Sequence, residues 1–538
     1  MGPDRLSSAN PPLRIGFASI YAWRPHVEHL YYLATLARQA GHACVFLTCD
    51  ADLPHCYTRE LRDLRPDWQE CLACRAGGLR SYASAGVSSI GALQQPGVDL
   101  PAAAAQWPLS SASTLGRFES DEDFASPAFR AISERLAPSV ARAYRAARHW
   151  IQREKLDAVC VFNGRMDATR AIFEAARDAG IRVVSVERTW FGDGLQLLPD
   201  ENCLGLHAVD ALVGTWSQHP LTGPQARQAA AYVAARFTGR NQTEWRAYNT
   251  GAQATGWPVA DAQRRVLLLP GSRNEIWGHP DWESAWPEPV AAYDAVMAHF
   301  GLKPADLVLR CHPNWGERIG KADGRLAERY YTDWARARGI HVIASTDTAS
   351  TMSLIAQSDA VVLASGSAAF EAGVLGKQVI ATAPSIYQRA GLRTDATTPQ
   401  ALSRAHLHAN LDTATQAALS RDISRKALRF GYTMARRVAQ YAGFVRAESS
   451  SRYHYVAGAD PGRLTRLLRT GELEADDATH ASDSAAEDEV LDAIARAEWD
   501  ALQSDLTLPD AATRQTIRRR WMFRPVDTIR AWLPVGDR

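Results

Sequence analysis

The chain has 538 residues, which is more than one hydrophobic core usually serves, so we expect two domains with appendages. Its 46% apolar and 22% charged residues are typical of a soluble globular protein, and a net charge of +1 gives no general reason to expect a nucleic-acid partner. No apolar run reaches the roughly 20 residues that cross a bilayer, and the first residues lack the apolar core of a signal peptide. We therefore expect a cytoplasmic protein whose eight cysteines are mostly reduced, buried or bound to metal.

The chain opens with a pattern of strand, helix and strand. LRIGFASI at 13–20 predicts a buried strand, the next segment predicts a helix that ends at Gly41, and HACVFLTC at 42–49 predicts a second strand. This opening is typical of nucleotide-binding folds. No GxGxxG sequence follows the first strand, which disfavours an NAD-dependent enzyme.

Four cysteines then follow in a C-x6-C-x14-C-x2-C arrangement: Cys49, Cys56, Cys71 and Cys74. A closing CxxC brings two thiolates to one tetrahedral ion from a single turn, so this arrangement fits a structural zinc site. Four reduced thiols in a polar loop are the plain alternative, and iron–sulfur ligation is a third. Each of these roles is structural, and no cofactor is expected for catalysis.

After a segment at 86–118 that predicts a long surface excursion, a long helix is predicted over 126–155. The strands LDAVCVF (156–162) and IRVVSV (181–186) follow, and both end in polar residues. They deliver four candidate cleft residues to one sheet edge: Asn163, Arg165, Glu187 and Arg188. Arginines at such an edge suit phosphate or carboxylate through paired hydrogen bonds.

Two carboxylates near this edge are candidates for a general base. Glu187 fits that role, and its alternative is a structural ion pair with Arg165. Asp193 lies between two glycines in the next loop and is the second candidate.

A second α/β pattern begins near residue 260, after the linker TGWPVADAQ. VLLLP at 266–270 predicts its first strand, and Arg273 in the loop that follows fits a phosphate-binding role, with an ordinary solvated turn as the alternative. We accordingly divide the chain into an N-terminal domain at 1–258, a C-terminal domain at 259–458 and a tail at 459–538.

Two further strand ends of this second pattern carry candidate donor-binding residues. The residues are His312 and Pro313 after the apolar strand that begins at Val308, Ser365, Gly366 and Ser367 after DAVVLA (359–364), and Glu371 four residues further on. In parallel α/β sheets, ligands collect where strands end and helices begin. A histidine there can bind a phosphate oxygen or assist a leaving phosphate, the serine turn can bind an anion, and the glutamate can hold ribose hydroxyls. A buried core histidine and a plain helix N-cap are the alternatives.

The order of a His-Pro pair, a Ser/Thr-rich segment and DAVVLASGSAAFEAGVLGKQVIA (359–381) resembles bacterial capsule and surface-polysaccharide glycosyltransferases of the GT-B fold. The resemblance is to enzymes that transfer Kdo from CMP-Kdo, and bacterial sialyltransferases share a His-Pro and a serine motif. It implies two doubly wound Rossmann-like domains. It also implies transfer of a sugar, such as Kdo or a related acidic sugar, from a nucleotide-sugar donor to a polysaccharide or glycolipid acceptor.

The resemblance also implies roles for individual residues. His312 would bind or protonate the donor phosphate, the serines at 365 and 367 would hold the phosphate or the nucleotide, and Glu371 would contact the ribose. The acceptor-side base would come from the first domain, with Glu187 ahead of Asp193. The paired acids of the sialyltransferases are not matched, since GDG at 192–194 supplies one acid. A nucleotide-sugar 2-epimerase and a non-catalytic nucleotide-sugar-binding module are the alternative functions.

The tail changes in composition twice. The segment 472–489 is dense in acid, Ala and Ser and predicts a solvated or disordered linker. The end of the chain interleaves basic and apolar residues: Arg514, Arg518, Arg519, Arg520, Arg524 and Arg530 with Ile517, Trp521, Phe523, Ile529 and Trp532. Such a stretch suits peripheral contact with an anionic membrane, here the inner face of the cytoplasmic membrane. A C-terminal helix packed on the protein is the alternative.

Overall fold

The computed structural model describes residues 11–62, 65–95, 97–245, 247, 249, 251–319, 322–503 and 513–525. Two six-stranded sheets organise these residues, and each belongs to a separate α/β domain.

The first sheet contains β1 (Arg14–Ala18), β2 (Ala43–Thr48), β3 (Val87–Ser89), β4 (Ala158–Phe162), β5 (Arg182–Arg188) and β6 (Leu195–Pro199). Their order is β3-β2-β1-β4-β5-β6, and only β5 and β6 pair antiparallel. The carboxyl ends of β1, β4 and β5 therefore share one edge. Gly16 in β1 leaves room for the buried indole of Trp150, because a Cβ at this position would lie 2.5 Å from Trp150 Cη2.

The helices of the first domain are α1 (His26–Gln39), α2 (Tyr57–Arg62), α3 (Asp67–Gly77), α4 (Leu109–Gly116), α5 (Asp121–Ala125), α6 (Pro127–Glu154) and α7 (Asp167–Asp178). The long helix predicted over 126–155 is confirmed as α6. Ser126 caps its start by accepting a hydrogen bond from the Phe129 N–H at 3.2 Å, and Lys155 ends it in a left-handed conformation.

The second domain begins with α8 (His207–Trp216) and α9 (Gly223–Phe237). The strands of its sheet are β7 (Val266–Leu269), β8 (Leu307–Arg310), β11 (His341–Ile343), β12 (Ala360–Leu363), β13 (Gln378–Ala381) and β14 (Arg393–Asp395). The short strands β9 (Arg318–Ile319) and β10 (Ala322–Asp323) form a separate pair. Its further helices are α10 (Pro289–Phe300), α11 (Arg325–Ala337), α12 (Thr351–Gln357), α13 (Ala368–Val374), α14 (Pro399–Leu402) and α15 (Thr413–Tyr432).

The order β11-β8-β7-β12-β13-β14 of this sheet is parallel throughout. Leu267 of β7 packs into one apolar cluster and Leu268 into another, so both faces of the sheet are covered. The expected fold class, two doubly wound Rossmann-like domains in the GT-B manner, is confirmed.

The packing divides the chain differently from the predicted boundary at 258. Helices α8 and α9 bury their apolar faces in the core of the second domain, where α9 contacts α15. After a π-helical turn (Thr433–Val438) the chain returns to the first domain, whose core it joins through β15 (Val445–Ser449), β16 (Arg452–Val456) and α16 (Pro461–Thr470). A change in composition marks a linker along the chain, but it does not show which core the flanking helices join.

Hydrogen bonds order the acidic segment after α16 at Asp476 and Asp477, so it is not a disordered linker there, although many of its other residues are exposed as expected of a solvated one. Asp476 accepts from the backbone N–H groups of Tyr441 at 3.0 Å and Ala442 at 3.2 Å, and Asp477 accepts from Tyr432 Oη at 2.5 Å. The segment continues into α17 (Ala485–Ala495) and α18 (Trp499–Gln503). Asp476, Asp477 and Glu487 serve as partners for donors distant in sequence, and composition alone does not reveal such pairing.

The basic tail is described from 513 to 525. Residues Arg514–Gln515 form the short strand β17 beside β16, and Arg519 is buried against Tyr82. Trp521 and Met522 are exposed to 76% and 49%. Ile529, Arg530 and Trp532 lie outside the described residues, and membrane contact stays a prediction.

Within the described ranges, no helix combines the length and the apolar character needed to cross a membrane.

We expect Glu487→Ala to destabilise the protein, because Glu487 is the fully buried partner of Arg429. Its oxygens accept from Arg429 Nε and Nη2 at 2.8 Å each, and from the Leu221 N–H at 2.8 Å. Removing one partner of a buried pair costs about 3–5 kcal/mol, which urea unfolding would measure as a loss in the free energy of unfolding. The exposed neighbour Glu489→Ala is the matched control and should change that free energy by less than about 0.5 kcal/mol. Equal losses in the two variants would contradict the assignment.

Candidate active site

The donor side of the candidate site lies at the carboxyl ends of three neighbouring strands of the second sheet. Strand β7 leads into the loop 271–275, β8 into His312, and β12 into the turn 365–367. The loops approach closely, since a Cβ on Gly271 would lie 3.5 Å from Ser365 Oγ. The structure therefore brings these predicted strand-end residues together.

His312 is held in a defined tautomer. Its Nδ1 accepts a hydrogen bond from the Asn314 N–H at 3.2 Å, as the cap of the short 3-10 turn that begins at Pro313. A neutral ring with an accepting Nδ1 carries its proton on Nε2. Burial lowers the pKa of His312, although the negative charge of Glu275 opposes this shift. At neutral pH the side chain is thus a neutral donor through Nε2–H.

The serine turn and the glutamate behind it differ in their surroundings. Ser367 precedes the seven-residue helix α13, and its side chain makes no capping hydrogen bond. Glu371 is buried and pairs with Arg236 of α9 through Oε1 at 2.9 Å. Its Oε2 is buried without a hydrogen-bond partner among the described residues. Glu371 thus joins α13 to α9 and keeps one unsatisfied acceptor.

The first-domain side is built on a turn at the end of β4. Asn163 and Gly164 both take left-handed conformations, with φ of +64° and +69°. Asn163 Oδ1 accepts from the N–H groups of Arg165 at 3.0 Å and Met166 at 3.3 Å, which stabilises this conformation. Its Nδ2 donates to Glu187 Oε2 at 2.9 Å. The turn therefore fixes the orientation of Glu187.

Glu187 at the end of β5 is surrounded by donors and remains accessible. Its Oε1 accepts from the Arg188 N–H at 3.0 Å and lies 3.3 Å from His26 Nδ1. Arg188 Nη2 donates to His26 Nε2 at 2.9 Å. Burial, and secondly the charge of Arg188, lower the pKa of His26, so its ring is neutral. The Glu187 side chain is 21% exposed, and its partners are Asn163, His26 and Arg188 rather than the predicted Arg165.

Sequence reasoning missed His26. It is the first residue of α1, the helix that follows β1, and therefore lies at the same carboxyl edge as Glu187. A histidine at the start of a crossover helix was the available signal.

Asp193, the second candidate base, has both carboxylate oxygens engaged. Its Oδ2 pairs with Arg446 at 2.8 Å, and its Oδ1 accepts from the Ala447 N–H at 3.0 Å. Burial raises the pKa of Asp193. It links the loop after β5 to β15, and this geometry favours Glu187 as the base.

Arg165 joins the two sides of the site. Its Nη1 donates to the Glu275 carbonyl at 2.9 Å, and Asn314 Nδ2 lies 3.4 Å from Glu275 Oε1. A continuous set of polar contacts, here called the polar chain, runs through Glu187, Asn163, Arg165, Glu275, Asn314 and His312. The candidate residues of the two domains are thus linked to one another by hydrogen bonds.

The segment 109–125, here called the bridging segment, contacts the loop that contains Arg273. Arg273 pairs with Asp121 at 2.8 Å and donates to the Glu119 carbonyl at 3.1 Å. The Glu119 carboxylate accepts from the Arg273 N–H at 2.9 Å and from Asn274 Nδ2 at 2.6 Å. Arg117 is 2% exposed and donates to the Asn314 carbonyl. The C-terminal part of the predicted surface excursion is therefore buried between the domains, and Arg273 is a domain-contact residue in this structure.

The four cysteines predicted to bind metal line one cavity of about 40 Å³. Burial raises the pKa of Cys56 and of Cys74, the latter to about 12. Among the described residues, no three His, Cys, Asp or Glu side chains are placed to hold one metal ion together.

No protein-family model matches the chain, and no curated protein matches it. Solved structures similar to it include the beta Kdo 2,4 transferase KpsC of Thermosulfurimonas dismutans, at 14% identity and a TM-score of 0.33 over 58% of this chain and 87% of that chain. UDP-GlcNAc 2-epimerase from Neisseria meningitidis is 12% identical, with a TM-score of 0.28 over 79% and 98%. The glycosyltransferase SnogD from Streptomyces nogalater is 14% identical, with a TM-score of 0.23 over 78% and 95%. Likenesses this remote carry no argument about activity.

We expect the stability of the protein to fall as pH rises through the range in which Glu119 titrates. Burial raises the pKa of Glu119 to about 8, although hydrogen bonds from Arg273 and Asn274 oppose the shift. The unfolded chain loses this proton at a pKa of about 4.3, so between about pH 5 and 8 the folded state binds the extra proton and the free energy of unfolding decreases.

Glu119→Gln should remove the part of the pH dependence of stability that comes from Glu119. Urea unfolding at pH values of about 5 and 8 should show a smaller loss for Glu119→Gln than for the wild type. The exposed Glu122→Gln variant is the matched control and should follow the wild type. Identical pH dependence in all three proteins would contradict a protonated Glu119.

Proposed function

We propose that the protein is a glycosyltransferase that moves a sugar from a nucleotide-sugar donor to a surface-polysaccharide or glycolipid acceptor. One observation carries the proposal: the polar chain joins His312 at one carboxyl edge to Glu187 at the other. Sugar transfer needs donors for the leaving phosphate and a carboxylate for the attacking hydroxyl, on opposite sides of one cleft.

The donor half would stabilise the departing nucleotide. His312 Nε2–H donates to a phosphate oxygen, and the hydroxyls at 365 and 367 add further donors as negative charge develops. Because burial lowers the pKa of His312, we assign this residue to phosphate binding rather than to proton donation. Glu371 stays a predicted ribose contact; in this structure its Oε2 is buried and its Oε1 pairs with Arg236.

The acceptor half would activate the incoming hydroxyl. Glu187 accepts its proton while the hydroxyl oxygen attacks the anomeric carbon, and the electrons of the breaking sugar–phosphate bond pass to the phosphate oxygen. Asn163 and the Arg188 N–H orient the carboxylate. Arg165 and Arg188 suit the carboxylate of an acidic sugar such as Kdo.

The tail suits an acceptor attached to a lipid. Trp521 and Met522 are exposed in a segment that also contains several arginines, a combination that favours peripheral contact with an anionic membrane. This combination supports the proposal that the enzyme acts in the cytoplasm, at the inner face of the membrane.

A panel of CMP-sugars and UDP-sugars, each with and without a glycolipid acceptor, tests the proposed activity. We expect nucleotide release that depends on the acceptor, together with a product that contains the transferred sugar. Isomerisation of the sugar without acceptor would instead identify a 2-epimerase. Nucleotide binding without turnover would identify a binding module, and either result would overturn the proposal.

Two variants separate the halves of the site. His312→Ala should weaken nucleotide binding measured by calorimetry, whereas Glu187→Gln should retain binding and lose about 10²–10⁴ in kcat. The exposed residues His341 and Glu472 supply matched controls, His341→Ala and Glu472→Gln, which should match the wild type in both measurements. Wild-type binding by His312→Ala, or wild-type kcat in Glu187→Gln, would contradict the assigned roles.

A further inference from the structure

Helix α3 presents its largest apolar side chains to solvent. Trp68 and Leu72 are 66% and 60% exposed, and their i, i+4 spacing places them on one face of the helix. The opposite face is directed inward, where Glu70 is buried and the thiols of Cys71 and Cys74 line the cavity of the first domain. The outer face of a surface helix is ordinarily polar, so the apolar side chains here are not explained by the packing of α3 on its own domain.

The basic tail is attached to the C-terminal end of this helix. Arg519 is buried, and its Nη1 donates to the Ala76 carbonyl in the last turn of α3 at 3.3 Å. The Arg520 N–H donates to the Ser81 carbonyl at 2.8 Å. These two contacts hold the exposed residues 521–522 beside the end of α3.

The exposed apolar side chains of the two segments therefore form one cluster. Ala76 follows Leu72 by four residues and Trp68 by eight, which corresponds to about 6 and 12 Å along the helix axis. Of the seven large apolar side chains that the described residues expose, four are Trp68, Leu72, Trp521 and Met522. Single exposed apolar residues are common on any protein, whereas a cluster of them marks an interaction surface.

Positive charge surrounds this cluster. Residues 65–77 and 513–525 contain seven arginines and two acids, whereas the whole chain has a net charge of +1. Both acids pair with arginines outside these ranges: Glu70 lies 3.2 Å from Arg62, and Asp67 lies 3.6 Å from Arg59. The exposed arginines include Arg75, Arg518 and Arg524.

We propose that α3 and the segment 518–524 form one surface, here called the docking face, that binds an anionic phospholipid membrane. Its indole and aliphatic side chains would enter the boundary between the headgroups and the acyl chains. The arginines would extend their charged ends to the lipid phosphates while their apolar stems lie along the cluster.

Charge complementarity favours a lipid surface as the occupant. A protein partner would need acidic groups placed opposite each arginine, whereas the phosphates of a fluid bilayer adjust to any arrangement of cations. Trp521 directly follows three consecutive arginines, and Trp68 lies one helical turn from Leu72 with Arg75 beyond it. Aromatic and aliphatic groups interleaved with arginines in this way are typical of segments that lie in a membrane interface.

The docking face adds a second element, α3, to the tail contact on which the proposed function draws. It would place the first domain, which is proposed to hold the acceptor, against the membrane. Vesicle binding requires neither sugar nor nucleotide. Binding to vesicles can therefore succeed or fail separately from sugar transfer.

Sedimentation of the full chain with vesicles tests the proposal. One set of vesicles contains phosphatidylglycerol and phosphatidylethanolamine, and the other contains phosphatidylcholine alone. We expect binding to the anionic vesicles that weakens as salt is added, and little binding to the neutral ones. Absence of binding to the anionic vesicles, or equal binding to both kinds, would overturn the proposal.

Paired serine variants test the part that α3 plays. Trp68→Ser/Leu72→Ser should weaken binding to the anionic vesicles at least about tenfold, because both apolar side chains are lost from the interface. The matched control is Leu100→Ser/Leu326→Ser, which changes two exposed leucines outside the docking face and should bind as the wild type does. Circular dichroism checks that each variant is folded, as expected for exposed positions.

Two further results would overturn the assignment. One is a loss of binding in Trp521→Ser/Met522→Ser while Trp68→Ser/Leu72→Ser binds as the wild type does, since the tail would then act without α3. The other is a dimer in sedimentation velocity that Trp68→Ser/Leu72→Ser abolishes, since a second copy of the chain would then cover this face.

Discussion

The relative position of the two sheets depends on two buried ionisable side chains in the bridging segment. Glu119 holds the backbone and side chain of the loop after β7, and Arg117 holds the Asn314 carbonyl in the loop after β8. Both residues belong to the first domain, so the loops next to His312 are anchored across the cleft as well as on their own sheet. A buried carboxyl group and a buried guanidinium tolerate few alternative partners. The contact therefore constrains the distance between the two halves of the candidate site.

A second constraint comes from the path of the chain. Helix α9 precedes the linker but packs in the second domain, where Arg236 pairs with Glu371. The chain then leaves α15 and returns to the first domain, and Glu487 in α17 pairs with Arg429 of α15 at 2.8 Å. Each domain thus contains elements from both halves of the sequence. The chain passes from the second domain back to the first at the π-helical turn at 433–438.

The sequence predicted the strands and their ends well, because buried parallel strands are continuous apolar runs and their carboxyl ends share an edge. That reasoning found Asn163, Glu187 and His312. His26 was missed although it opens the helix after β1, because its contact with Glu187 depends on how that helix packs. Glu119 and the acidic residues at 476 and 477 were missed for the same reason: local polarity suggests solvent, whereas their partners are buried donors distant in sequence. The predicted domain boundary was drawn where the composition changes. It therefore did not anticipate that α8 and α9, which precede it, pack in the second domain.

The left-handed turn after β4 explains how Glu187 can be both fixed and reactive. Asn163 uses its carbonyl oxygen on two backbone N–H groups, so only its NH₂ can face Glu187. A carboxylate offers about four acceptor positions, and Asn163 and the Arg188 N–H use two of them. His26 approaches a third at 3.3 Å, which leaves acceptor capacity on the exposed part of the side chain. An attacking hydroxyl can therefore donate to Glu187 without displacing the contacts that orient it.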